Sequence, residues 1–210
     1  MKNKIITVLA VLAMALIILL IQFGPIGIMV MSFLGASIEE YTDVSEYNRF
    51  MGESADEEYR NKWGMDETIF PASITEDMNV QDYKMVYYNP WDAQYLSYLV
   101  VQYDETQYEE ETARLRAYAS TDYEGIYGAT GFDDKYELLA MYADDYQGFV
   151  YALTDNQDTI VYVELIFCNY FFDHDYKKYI KEEYLPVGFD ATSNNPYERK
   201  IRAEKDDSFF

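Results

Sequence analysis

From Ile5 to Leu34 the chain carries no charged residue, and Ile5 to Ile21 is apolar apart from Thr7. A helix rises about 1.5 Å per residue and the hydrocarbon core is about 30 Å thick, so roughly 20 apolar residues span it. Ile5 to Gly24 meets that length. The run continues through Gly24-Pro25 to Leu34, and Pro25, which has no N–H to donate, predicts a kink or a helix end there. Lys2 and Lys4 precede the run and no Lys or Arg follows before Arg49, a bias that places the N-terminus in the cytoplasm and the rest outside. A cleaved signal peptide is the competing reading, since Ala13-Met14-Ala15 has the small-x-small form. That site, however, precedes the still apolar Leu16 to Ile21.

Beyond the run the pattern changes to short alternating segments. Ser37 to Thr42 reads as an acidic tether. Brief helices are predicted over Val44 to Met51 and Ala55 to Trp63, each stopped by a glycine, the second with Ser54 and Glu57 in capping-box spacing. Tyr83 to Tyr88 and Tyr95 to Tyr103 are rich in Tyr, Val and Leu and flank the turn Asn89-Pro90-Trp91-Asp92, which predicts a hairpin. Asp104 caps a predicted helix from Glu105 to Tyr118, with acids in its first turn and Arg114 and Arg116 near its end, as the helix dipole favours.

Four strands are predicted next: a weak one over Ile126 to Phe132, then Glu137 to Ala143, Gly148 to Thr154 and Thr159 to Cys168. In the last, Val161, Val163, Leu165 and Phe167 form an apolar face and Glu164 interrupts the other, the pattern of a central strand covered partly on its second face. A helix from Asp173 to Glu183 and a loosely ordered tail complete the reading. The fold class is α+β: an N-terminal transmembrane helix, then an antiparallel sheet of four to six strands with helices mainly on one face. Residues 1–34 form the membrane anchor, 35–42 the tether, 43–193 the extracytoplasmic domain and 194–210 the polar tail.

Charge narrows the function. All 38 acidic residues follow the apolar run but only 14 of the 16 basic ones do, a net charge of −24 that excludes nucleic acid as a partner. Cys168 is the single cysteine, so no internal disulfide forms. Catalytic chemistry is sparse. His174 is the only histidine and reads as the first turn of a helix capped by Asp173; no second His or Cys group closes a zinc site. Acidic pairs such as Asp144-Asp145 fall in turns and match no calcium loop, and the glycines at 125, 128 and 131 lack the dinucleotide spacing.

Tyrosine supplies 23 of 210 residues. Its flat ring and hydroxyl suit strand packing and also sugar or peptide binding. The candidate ligand-binding residues are Trp91 at the hairpin turn, Tyr87, Tyr162 and Glu164, a carboxyl in an apolar strand for which an edge or solvent-facing position is expected. No catalytic residue is assigned, the metal ligands are undetermined, and no cofactor is expected beyond a weakly held divalent cation. The sequence therefore points to a single-pass protein of the cell membrane, held in the lipid bilayer by residues 5–24, whose acidic, Tyr-rich domain is a binding or interaction module. Its expected partner is a protein, glycan or cationic ligand outside the cell. An envelope hydrolase using carboxylates or a metal ion, and a structural subunit of a membrane complex, are the alternatives.

Overall fold

The computed structural model describes residues 36–52 and 54–207, together with Met14 and Gly24. Apart from those two positions, the apolar segment predicted to span the membrane lies outside the described residues. Among the described residues no helix is long and apolar enough to cross a membrane. The chain divides into two units, Met1–Ser37 with Asn89–Trp91, and Ile38–Tyr88 with Asp92–Phe210. The second contains the sheet.

Six strands form it: β1 (Glu39–Tyr41), β2 (Asn79–Tyr88), β3 (Gln94–Gln102), β4 (Glu137–Asp144), β5 (Gly148–Thr154) and β6 (Thr159–Ile166). All pairs are antiparallel and the order is β1-β2-β3-β6-β5-β4. The class is thus α+β with an antiparallel sheet, and the predicted hairpin and the three-strand meander are both present. Helix α2 (Glu105–Arg116) links β3 to the meander. Asp104 caps it by accepting the Gln107 N–H at 2.9 Å, and the Gln107 side chain donates to Asp77 at 2.8 Å.

Both faces of the sheet are buried, which corrects the expectation that helices gather mainly on one. Tyr83, Leu99, Tyr162 and Ile166 face an arm of residues 44–74, containing the short helix α1 (Tyr47–Phe50), and Leu115 of α2. Leu96, Tyr98, Val163 and Leu165 face the opposite layer, built from residues 126–132, 167–191 and helix α3 (Pro196–Asp207). The expected polar tail is therefore largely helical. Asn195 accepts the Glu198 N–H at 2.8 Å, and Tyr197 and Ile201 pack on the core.

Other local expectations fail where tertiary contacts override periodicity. The tether is in part strand β1, because Glu39 to Tyr41 pair with Tyr87 to Met85. The helix expected over 55–63 is two 3-10 turns, Glu57–Tyr59 and Lys62–Gly64, broken by left-handed Asn61 and Trp63. Its Ser54 hydroxyl donates to Asn48 O and caps nothing. The helix expected over 173–183 is likewise reduced to Tyr176–Lys178 and Glu182–Tyr184. There Lys181 is extended, bonding Asp82 at 2.8 Å, and Tyr184 O accepts the Tyr151 hydroxyl at 2.7 Å. Residues 126–128 form a 3-10 turn where a weak strand is expected.

Most tyrosines pack in the core, and several of their hydroxyls fasten irregular segments to the sheet or to one another. Tyr47 donates to Pro71 O, Tyr95 to Glu58 O and Tyr127 to Asp145 O, at 2.6, 2.9 and 2.8 Å. Each ring removes apolar area from water while its hydroxyl satisfies a backbone carbonyl. In a chain with one cysteine, these bonds do the pinning that disulfides do elsewhere.

Candidate functional site

Strand β6 is central, and Glu164 lies at its middle, opposite Ser97 of β3 and Val150 of β5. Its side chain is fully buried, contrary to the edge or solvent-facing position expected, because the arm closes over that face. An isolated buried charge is prohibitive, so a partner must come from elsewhere in the chain. Lys62 supplies it. The left-handed residues on either side, Asn61 (φ 61°) and Trp63 (φ 57°), turn Lys62 inward and Trp63 outward. Lys62 Nζ donates to both Glu164 oxygens at 2.9 Å, approaches Met51 Sδ at 3.5 Å and lies 5.4 Å from the Tyr95 ring centroid.

A second carboxyl completes the group. Glu67 Oε1 is 2.6 Å from Lys62 Nζ, a close ion-pair approach that lacks hydrogen-bond alignment. Burial pushes the Glu67 carboxyl up to about 7; Lys62 opposes that shift and neighbouring Glu164 adds to it. Burial disfavours the Lys62 charge, yet Glu164 and Glu67 outweigh it and hold the ammonium above its usual value. One cation thus serves two carboxyls, and Glu67 is the one that takes up a proton near neutrality.

Glu67 also lines a cleft of about 1110 Å³ between the arm and α2. Met51, Met65, Phe70, Pro71 and Met78 make its apolar surface; Asp66, Glu67, Asp77, Glu110 and Glu111 supply five carboxyls against the guanidinium groups of Arg60 and Arg114. Both arginines have bonds within the fold. Arg114 holds Glu111 through two bonds of 2.7 and 2.6 Å and donates to the Thr68 and Ile69 carbonyls at 2.8 Å each. Arg60 donates to Ala55 O at 2.8 Å. Behind Glu111 runs a chain of hydroxyls: Tyr162 donates to Glu111 Oε1 at 2.5 Å and meets the Tyr103 hydroxyl at 2.7 Å. Burial raises the Tyr162 phenol well above its usual value and Tyr103 to about 12, so both are neutral donors at physiological pH.

The four residues singled out in the sequence do not share one site. Glu164 and Tyr162 lie beneath the arm, behind the cleft wall. Tyr87 is a core ring, packed at 5.0 Å on Tyr59 and 5.4 Å on Tyr95. Trp91 is 61% exposed on the turn between β2 and β3. His174 lies outside any helix, since the turn that follows starts at Tyr176, and its ring stands 5.4–5.5 Å from Tyr88, Phe172 and Tyr179. Among the described residues no three His, Cys, Asp or Glu side chains come together to hold a metal ion. The sequence reading missed Lys62, Glu67, Glu111 and Arg114. A carboxyl in the middle of an apolar strand does imply a buried cation, but nothing local distinguishes Lys62 among the basic residues.

Two groups give stability opposite dependences on pH. Glu67 has a folded pKa above its ordinary value, so the folded state holds its proton more tightly and loses stability as pH rises from about 4.5 to about 7. His174 is pushed by burial down to about 4, against the pull of Asp175, so its contribution is lost as pH falls from about 6.5 to about 4. Relative to wild type, Glu67→Gln should gain stability between pH 5 and pH 8. At about 1.4 kcal/mol per tenfold change in proton affinity, the gain has a ceiling of about 3 kcal/mol. His174→Phe should gain only below pH 6.5. Denaturant midpoints across pH check both, and a difference from wild type that does not vary with pH removes the assignment. Compared with protein-family models, curated proteins and solved structures, the chain finds no match.

Proposed function

We propose that this protein is a single-pass, membrane-anchored binding module whose extracytoplasmic domain receives a cationic ligand with an apolar portion in the cleft between the arm and α2. The observation that carries the reading is the cleft's composition: an apolar surface bordered by five carboxyls and two arginines that are already bonded within the fold. An ammonium or guanidinium group would meet an excess of negative charge there, and a hydrocarbon or aromatic part would be removed from water against methionine and phenylalanine. Methionine-lined surfaces also adapt to ligands of differing shape. The anchor and its orientation rest on the apolar run and the flanking lysines.

Thermal unfolding of the full chain in detergent micelles tests this, with spermine, a Lys/Leu peptide, a neutral oligosaccharide and calcium as probes. A ligand at about 100 times its Kd adds roughly 2.7 kcal/mol. The cationic organic probes should raise the midpoint, and Glu110→Lys, at an exposed position of the cleft, should abolish the rise without lowering the unliganded midpoint. A rise with the oligosaccharide alone, or with none of the four, overturns the assignment. An envelope hydrolase is the second reading, favoured by one observation. Glu67, protonated near neutrality, and Glu111, ion-paired to Arg114, line the same cleft, and carboxyls in contrasting environments are what acid–base hydrolysis uses. Turnover of wall glycan or peptide that Glu67→Gln abolishes would establish it.

A further inference from the structure

Four large hydrophobic side chains in residues 36–207 are exposed: Ile38, Trp63, Trp91 and Val187. Strand register and one hydrogen bond bring two of them, Ile38 and Trp63, to one end of the sheet. Strand β1 starts at Glu39, paired with Tyr87, so Ile38 precedes the rung next to the end of β2. The Trp63 indole donates to the carbonyl of Ala93, the residue before β3, at 2.7 Å.

Trp63 is held there against its own backbone preference. A left-handed conformation costs a residue with a Cβ about 1–2 kcal/mol, and asparagine or glycine would adopt it more readily. Yet the ring is 40% exposed and its indole N–H is satisfied at the turn. The core does not need an indole at this position. An amphipathic ring with one polar edge is what a membrane–water interface accommodates.

We infer that this end of the domain is a bilayer-contact surface, with Trp63 and Ile38 entering the headgroup region of a zwitterionic membrane. The inference rests on the anchor reading and goes beyond it. Three residues separate Leu34, the end of the apolar run, from Ile38, so Ile38 is four steps along the chain, and extended chain covers at most about 3.6 Å per residue. Ile38, the residue before β1, can therefore stand no further than roughly 14 Å from the end of that run. A lipid surface is the one partner that this spacing guarantees. Its headgroup is neutral because carboxylates share this end: Asp92 accepts from Asn169 at 3.2 Å, and Asp173 from Gln94 at 2.5 Å. Anionic lipid would be repelled by them.

The test reconstitutes the full chain in phosphatidylcholine vesicles with acyl chains brominated near the headgroup. Trp91→Phe leaves Trp63 as the sole indole, which should lose emission relative to unbrominated vesicles and be shielded from acrylamide in water. The wild-type chain, which needs no substitution, should also lose emission, and phosphatidylglycerol should weaken the loss. Resistance to an alkaline carbonate wash reports the anchor separately. A variant that resists the wash while Trp63 stays unquenched by bromine and open to acrylamide overturns the contact surface and leaves the anchor standing. A chain that washes off overturns both, and stronger quenching in phosphatidylglycerol overturns the neutral headgroup.

Discussion

Glu164→Gln is expected to destabilise the domain by about 3–5 kcal/mol, the cost of leaving a buried cation without its main partner. Lys62 Nζ would keep an amide oxygen as acceptor but only Glu67 as a charged partner, whose approach lacks hydrogen-bond alignment, at a site where neither the Lys62 nor the Glu164 side chain reaches water. The loss measures an orphaned charge, not the net worth of the pair. Desolvating both ions opposes their attraction, so the double variant Lys62→Met/Glu164→Leu should recover most of the stability. Denaturant unfolding of the full chain in detergent separates the cases. Equal losses in the single and double variants would mean that shape at this position matters and charge does not.

Gly148→Ala should cost at least about 4 kcal/mol, among the largest effects of a single methyl group. Gly148 opens β5 opposite Ile166 with φ +109°, and a Cβ added there would lie 2.0 Å from Leu165 O and 3.0 Å from Phe167 Cε1. Relief requires moving backbone where β5 pairs with β6, a central strand of the sheet. Gly64→Ala is the control. Its φ is +81°, but nothing lies within 4 Å of the added Cβ, so only the left-handed penalty of about 1–2 kcal/mol applies. Similar losses at the two positions would show that conformation alone sets the cost, without the clash.

Elements stabilised by near neighbours were legible. Helix α2 carries its own cap in Asp104 and its own dipole-favouring charges, and β2 through β6 announce themselves by β-branched and aromatic content between Asp- and Gly-rich turns. Segments stabilised from a distance were misread. Tyr176, Ile180 and Tyr184 have helical spacing, yet bonds from Lys181 to Asp82 and from Tyr151 to the Tyr184 carbonyl hold that stretch in separate turns. Strand β1 exists only because β2 offers an edge to pair with.

The candidate site shows the same division. Glu164 stood out because charge interrupts apolar alternation, a signal contained in one strand. Its partner is 102 positions away, and the cleft forms where Glu67 of the arm meets Glu111 and Arg114 of a helix some 45 residues on.

By itself the sequence determined the apolar N-terminal run, the acidic domain without disulfides, the antiparallel α+β class and the capped helix, because each follows from composition or from contacts a few residues apart. The tertiary structure alone decided that both sheet faces are covered, that the N-terminal arm closes over Glu164 with Lys62, and that carboxyls and methionines converge on a cleft. Those outcomes depend on burial, and burial is set by which distant segments lie on which face.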